Sequence, residues 1–425
     1  MGTGVFVALG LGAGVLGPGV LLALLLGGAL AVVNGLNSAQ LAAAHPVSGG
    51  TYEYGYRFLS PGFGFTAGAL FLFAKSASAA TATIGLGGYF FTLLVDGGLI
   101  TADATTTLPV GLAALFLAIL GSVALAGIKP AFRLTSIFVA LGLLAIAVFV
   151  VMAIPATATN FAGNFEPFFQ TPRAAPGLME ILGRLGEATA LMFVAYTGYG
   201  RIATLGEEVQ APARTIPRAV IITLTLSFAV YTLVALTSIG TAGAYALFAA
   251  TRQQAAPLEL VARLIAPGWL PLLVAIGALT AMAGVLLNLI LGLSRIVLAM
   301  GRRGDLPRVF AHVNAAGSSP VPAVLAVLAV ILILLLSGDV KFTWSFSAFF
   351  VLLYYAITNL CALRIPDGDR LYPRWLGWVG LVSCAVLALH IDWRAWLPGL
   401  AVLLALLGIY FGRAYFPRGE DSNHH

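Results

Sequence analysis

The chain has 425 residues, of which 60% are hydrophobic and only 9% charged. A soluble domain covers its outside with polar groups and carries about 25% charge. A soluble enzyme, a disordered scaffold and a nucleic-acid binder are therefore excluded. A polytopic membrane protein remains, and its net charge of +6 must sit outside the hydrocarbon.

A spanning helix needs about 20 mostly apolar residues, whereas membrane strands give weaker alternating segments of about ten. The apolar runs here are long and continuous, so the spans are helices. In chain order they are expected at 3–12, 18–43, 62–94, 108–127, 131–154, 178–209, 216–239, 268–300, 320–338, 342–363, 375–391 and 394–412. The 62–94 run exceeds one crossing and must tilt or extend past the bilayer core. With the N-terminus placed in the cytoplasm, fifteen of the 22 Lys and Arg fall on the inner side and six on the outer. Acids divide equally, eight to each side. The bias follows the positive-inside rule. It predicts a cell inner (plasma) membrane protein, crossing many times, with both termini cytoplasmic. The remaining base, Lys75, lies within a span.

Other chemistry is sparse. Cys361 and Cys384 sit in apolar stretches and form no disulfide framework. Met1 leads straight into Gly2, so no cleavable leader is evident. Gly85-Leu86-Gly87-Gly88 lies inside a helix and fits no dinucleotide fingerprint. No catalytic triad, phosphate loop or metal-ligand spacing stands out, so neither an enzyme, a cofactor nor a metal is expected.

Two spans look broken, one at Gly2-Thr3-Gly4-Val5-Phe6 and one at Phe193-Val194-Ala195-Tyr196-Thr197-Gly198-Tyr199-Gly200. Each opens one half of the chain. Paired interruptions suggest an inverted repeat with a site near the bilayer midplane. The half-helix after the first break presents free N–H groups and a positive dipole end, which suits a carboxylate. Unwound carbonyls at the second suit an ammonium. A tight helix-packing patch and a plain glycine kink are the competing accounts.

Four stretches then carry a resemblance, in order, from residue 1 to about 364. They are the opening GTGVF; Gly17-Pro18 leading to His45-Pro46-Val47-Ser48-Gly49-Gly50-Thr51-Tyr52; Phe193 to Ala219; and Ser294-Arg295 through Met300 to Pro307. Together they resemble the amino acid–polyamine–organocation permeases. The resemblance implies an all-α, LeuT-like fold of five plus five inverted spans with two additional helices. It implies amino acid transport by alternating access. It places the substrate carboxylate at Gly2 and the amides of Thr3, Gly4 and Val5. It places the ammonium at carbonyls of Val194, Ala195 and Thr197 around Gly198, with Tyr196 and Tyr199 helping to close the site. The repeats would span 1–154 and 178–364, joined by an extracellular connection at 155–177. Two further spans would follow at 365–412, then a tail at 413–425.

Departures from the family pattern matter too. Many relatives carry an acid just after the second-break aromatic, where this chain has Gly200 and then Arg201. Some carry a lysine in span five at a former sodium site, and Gly142 falls there. Span eight offers Ala281, Ala283 and Gly284 at the matching level, which counts against a sodium site. A proton or an exchange substrate is left for coupling. Lys75 is the coupling candidate, because intramembrane charge is costly; a structural or snorkelling lysine is the alternative. Asn288 faces either the pocket or another helix. Glu207 and Glu208, followed by Arg214 and Arg218, read as loop-fixing ion pairs before they read as a gate. Arg295, Arg302 and Arg303 anchor the inner end of span eight.

By symmetry with the helix from Gly177 to Ala195, the first half lacks a half-helix before its break. A chain starting at Met1 is thus expected to be stuck open inward or inactive. The expected partners are an amino acid, the bilayer and a coupling ion or exchange substrate. Side chains should be small or apolar, for want of an acid in the pocket. An amine or polyamine carrier and a non-transporting membrane sensor are the alternatives.

Overall fold

The computed structural model describes residues 2–47, 49–101, 107–126, 128–170, 176–200, 211–314 and 319–415. Arg201, Glu207, Glu208 and most of the expected 413–425 tail lie outside them. The described residues are helical, with no strand among them. A π-helical turn, Gly4–Ala8, runs into α1 (Leu9–Leu16). Gly17, at φ +65°, turns the chain through Gly17–Gly19 into α2 (Val20–Ala44). Only glycine takes that conformation without strain. A short helix, α3 (Thr51–Phe58), precedes α4 (Pro61–Asp96). The 36 residues of α4 are too long for one perpendicular crossing at 1.5 Å per residue.

Next come α5 (Leu108–Ala126), α6 (Ile128–Phe165) and α7 (Leu178–Tyr196). Pro155 does not end the fifth span, so the expected connection from 155 is helical as far as Phe165. Side chains of this extension bind the neighbouring span. Thr157 Oγ1 donates to the Thr237 carbonyl at 3.1 Å, and Asn164 Nδ2 to that of Gly240 at 2.8 Å. Those bonds offset the amide that proline removes. After α8 (Pro212–Ala242), the segment read as a loop holds two helices, α9 (Ala244–Gln254) and α10 (Pro257–Ile265). Then follow α11 (Trp269–Arg303), α12 (Val321–Leu335), α13 (Val340–Leu363), α14 (Arg374–Ala388) and α15 (Trp393–Tyr415).

The spans sort into two packed groups. One holds α1, α2, α7 and α8, and the other α4, α5, α11 and α12. α6 packs on α8 and α11, while α13 packs on α4, α2 and α14. Small residues set the approach where helices meet. A β-carbon on Gly27 of α2 would lie 3.0 Å from the Phe193 nitrogen. At one end of the bundle, α9 and α10 lie over α1 and α4, and Arg263 pairs with both Asp96 and Glu259. At the other end, α3 is latched to the end of α11. Tyr52 and Tyr56 donate to the Asp305 carboxylate at 2.6 and 2.8 Å, and Arg303 pairs with Glu53 at 2.6 Å. Burial and the Asp305 hydrogen bond hold both phenols well above their usual range, so both remain donors.

A buried amide network ties α2 to α13 and α14. Asn37 Nδ2 donates to Asn359 Oδ1, and Asn359 Nδ2 to Asn34 Oδ1, both at 2.8 Å. Gln40 Nε2 donates to Asn37 Oδ1 at 3.0 Å, and Asn37 Nδ2 also reaches the Leu376 carbonyl at 3.2 Å. Every amide side chain here is fully covered. Asn359→Ala removes the shared partner and leaves buried groups unpaired. It should cost about 1–3 kcal/mol, read as a lower melting temperature of the detergent-purified protein. An unchanged melting temperature would refute a stabilising role for the network.

Candidate functional site

The two broken segments meet. At the first, the amides of Val5 and Phe6 both donate to the Gly2 carbonyl, at 3.0 and 3.2 Å. The Val5 amide therefore has a partner within its own turn. Tyr89 of α4 donates its hydroxyl to the Phe6 carbonyl at 2.9 Å. Gly2 lies against α11, where a β-carbon would come 2.5 Å from Val285 Cγ2. Gly4 lies against the second break, where a β-carbon would come 2.6 Å from that of Ala195. Only glycine permits this approach. The Thr3 hydroxyl is buried with no hydrogen-bond partner among the described residues.

At the second break, α7 gives way to a 3-10 turn at Thr197–Tyr199. The carbonyls freed there are met by side chains. Thr197 Oγ1 donates to Val194 at 2.8 Å, and Tyr231 of α8 donates to Ala195 at 3.0 Å. One turn earlier, Trp344 of α13 donates to Leu191 at 2.9 Å. The carbonyls expected to stand open toward a ligand are thus already engaged: Val194 accepts from both the amide and the hydroxyl of Thr197, Ala195 from Tyr231, and Thr197 from the Gly200 amide.

Lys75 joins this segment. Its Nζ lies 2.8 Å from Thr197 Oγ1, so ammonium, hydroxyl and the Val194 carbonyl form a chain. Lys75 is 9% exposed, and no carboxylate among the described residues pairs with it. Beyond it, hydroxyl pairs join α4 to α13: Ser78 with Ser347 at 2.7 Å, and Thr81 with Thr343 at 2.8 Å.

A cavity of about 340 Å³ begins at Lys75 and Thr197 and runs toward the end that carries α3. Phe71 of α4, Gly198 and Gly200, Tyr354 and Tyr355 of α13, and one face of α11 line it. That face includes Asn288, Gly292, Arg295 and Ala299. Of the residues singled out in the sequence, the cavity gathers Lys75, Thr197, Gly198 and Asn288. Gly2, Thr3, Gly4, Val5, Val194 and Ala195 are not among its lining.

Tyr196 and Tyr199 also point elsewhere. Tyr196 packs beside Gly28, Phe228 and Tyr231, and its hydroxyl has no partner among the described residues. Tyr199 packs on Tyr355 and beside Gly35. The cavity's aromatic wall is instead Phe71, Tyr354 and Tyr355, none of which the sequence singles out. Arg295, read as an end anchor, lines the cavity too. Its spacing from Asn288, two helical turns on one face, was the available signal. Gly142 packs on α11, where a β-carbon would lie 2.9 Å from that of Ala281.

Residues 1–419 match the model of a family described as amino acid permease. An uncharacterized transporter of Mycobacterium tuberculosis is 38% identical over 403 residues, covering 95% of this chain and 85% of its own length. The branched-chain amino acid permease BcaP of Bacillus subtilis is 27% identical over 334 residues, covering 76% of this chain and 68% of its own. Among solved structures, that of MhsT in complex with L-phenylalanine aligns with a TM-score of 0.59 at 17% identity. The alignment covers 92% of this chain and 96% of that one. The fold is thus the LeuT-like one.

The engaged carbonyls make a paired test. Tyr231→Phe strips the Ala195 carbonyl of its partner and should destabilise the protein by roughly 1 kcal/mol or more. Tyr196→Phe removes a hydroxyl with no partner among the described residues and should stay within about 0.5 kcal/mol of wild type. Thermal unfolding of the two variants side by side checks the contrast, and equal shifts would contradict it.

Proposed function

The chain belongs to the amino acid permease family, and from that premise we propose that it is a secondary active transporter moving amino acids across a membrane by alternating access. The observation that carries the reading is the meeting of the two broken segments, Gly4 against Ala195, with Thr197 and Gly198 of the second break lining a cavity beside them. Broken helices supply free backbone groups at membrane depth, and irregular backbone is tolerated there only where protein or a cavity surrounds it.

In this reading the substrate carboxylate takes the first-break amides of Thr3 and Gly4, and that of Val5 once its turn opens. The ammonium takes the carbonyls of Val194, Ala195 and Thr197 as their present donors give way. With Gly4 on Ala195 there is no room between the breaks, so loading requires them to part. Rocking of the α1, α2, α7 and α8 group against the α4, α5, α11 and α12 group supplies that movement. The latch of Tyr52, Tyr56 and Asp305 then belongs to the cytoplasmic end, as the charge bias requires. The α9–α10 cover belongs to the outer one. The repeats run over 1–154 and 178–364, with the additional spans at 365–412, in a cell inner membrane.

Sodium coupling is disfavoured by donor chemistry. Gly142, Gly277 and Ala281 bring α6 and α11 into close contact, and the Thr280 hydroxyl beside them is turned onto the Ile276 and Gly277 carbonyls. A proton, with Lys75 as its carrier, or exchange of one substrate for another remains for coupling. An amine or polyamine carrier fits less well, because no carboxylate lines the cavity among the described residues.

Reconstitution into proteoliposomes, with counterflow of each labelled amino acid at two pH values with and without sodium, tests the reading. Counterflow of at least one amino acid, unaffected by sodium, is expected. Binding without counterflow would identify a sensor, and counterflow of amines alone would identify an amine carrier.

A further inference from the structure

We propose that Lys75 receives a side-chain carboxylate of the substrate, so that the amino acid class this cavity takes is the acidic one. The inference rests on the transporter reading above. It begins from the charges that line the cavity. Lys75 and Arg295 are cationic, and among the described residues no Asp or Glu faces them there. An ammonium has three donors. Among the described residues the partner that Lys75 reaches is Thr197 Oγ1, which in turn donates a hydrogen bond to the Val194 carbonyl.

A cation held this way at membrane depth is expensive unless an anion joins it. Alanine or glycine would serve a packing role at no such cost, as at Gly142 and Ala281. The position of Lys75 also suits a side chain. It lies one hydroxyl away from the second break, where the substrate's ammonium is placed. A carboxylate on Lys75 therefore sits about one side-chain length from the backbone site. Phe71 and Leu289 line the same cavity and can cover the intervening methylenes. Arg295, further along, adds a field of the same sign. That field draws anions in and repels lysine, arginine and polyamines.

The test is counterflow by the full chain in proteoliposomes with labelled glutamate, aspartate, glutamine, leucine and lysine, in wild type, Lys75→Met and Lys75→Arg. Wild type is expected to exchange glutamate or aspartate in preference to glutamine and leucine, and not to exchange lysine. In Lys75→Met the glutamate-to-glutamine ratio should fall about thirtyfold, the cost of leaving one member of a buried charge pair alone. Lys75→Arg should restore part of it. A ratio of substrates is insensitive to how much variant folds. Should neither variant fold, glutamate-dependent thermal stabilisation of wild type, absent with glutamine, decides the same point. Exchange of leucine without glutamate or aspartate would overturn the acidic class while leaving the transporter reading intact. So would an unchanged ratio in Lys75→Met. No exchange of any amino acid would defeat the transporter reading itself, and this inference with it.

Discussion

A peptide group in hydrocarbon has no water to turn to, and this constraint shapes the centre of the molecule. Breaking a helix there frees carbonyls and amides that must find partners inside the protein. Each break finds them on helices from elsewhere in the chain. Tyr89 of α4 meets Phe6, Tyr231 of α8 meets Ala195, and Trp344 of α13 meets Leu191. Thr197 turns back on Val194 within its own segment. The broken helices are thus held in register by three neighbours, each through one polar atom on an otherwise apolar ring. Tyrosine and tryptophan suit this role because the ring packs in the core while its tip bonds.

The same economy governs the ends. The α3 end is closed by a carboxylate that accepts from two phenols and by a guanidinium lying 4.0 Å over the Tyr56 ring. The opposite end is closed by helices lying on α1 and α4, where Gly10 and Gly14 leave room for Thr251 and Phe248. One closure is polar and made of few bonds. The other is made mostly by shape over many side chains, with Arg263 pinned to Asp96 and Glu259. They differ accordingly in what would open them: competition for hydrogen bonds at one, lateral separation of packed surfaces at the other.

Much of this was legible in the sequence because lipid is a strict solvent. Long apolar runs located the helices, eight of which among the described residues are long and apolar enough to cross a membrane, and the scarcity of charge alone drew attention to Lys75. The glycines at 2, 4 and 198 marked the breaks. What escaped depended on tertiary partners or on rotation about a helix axis. Pro155 looked like a stop, yet Thr157 and Asn164 carry the helix past it. α9 and α10 are short and carry charges, so they passed for loop. Tyr196 and Tyr199 were expected in the pocket, but a 3-10 turn between them alters the angular spacing on which such facing arguments rest. Tyr354 and Tyr355 gave no sign, because an aromatic on a buried helix looks the same whether a cavity or a neighbour lies before it.

The amide network has a mechanical meaning. Asn34, Asn37 and Gln40 lie on α2, within the group that holds the breaks, whereas Asn359 lies on α13 and Leu376 on α14. Parting α2 from α13 would break both Asn359 bonds and strand the amides of Asn34, Asn37 and Asn359 in a medium that offers no substitute partner. The hydroxyl pairs between α13 and α4 are weaker, and each hydroxyl can donate or accept. If the bundle shears, the line of slip falls between α13 and α4. The two last spans then ride with α2 as ballast, rather than forming a fixed wall for it to move against.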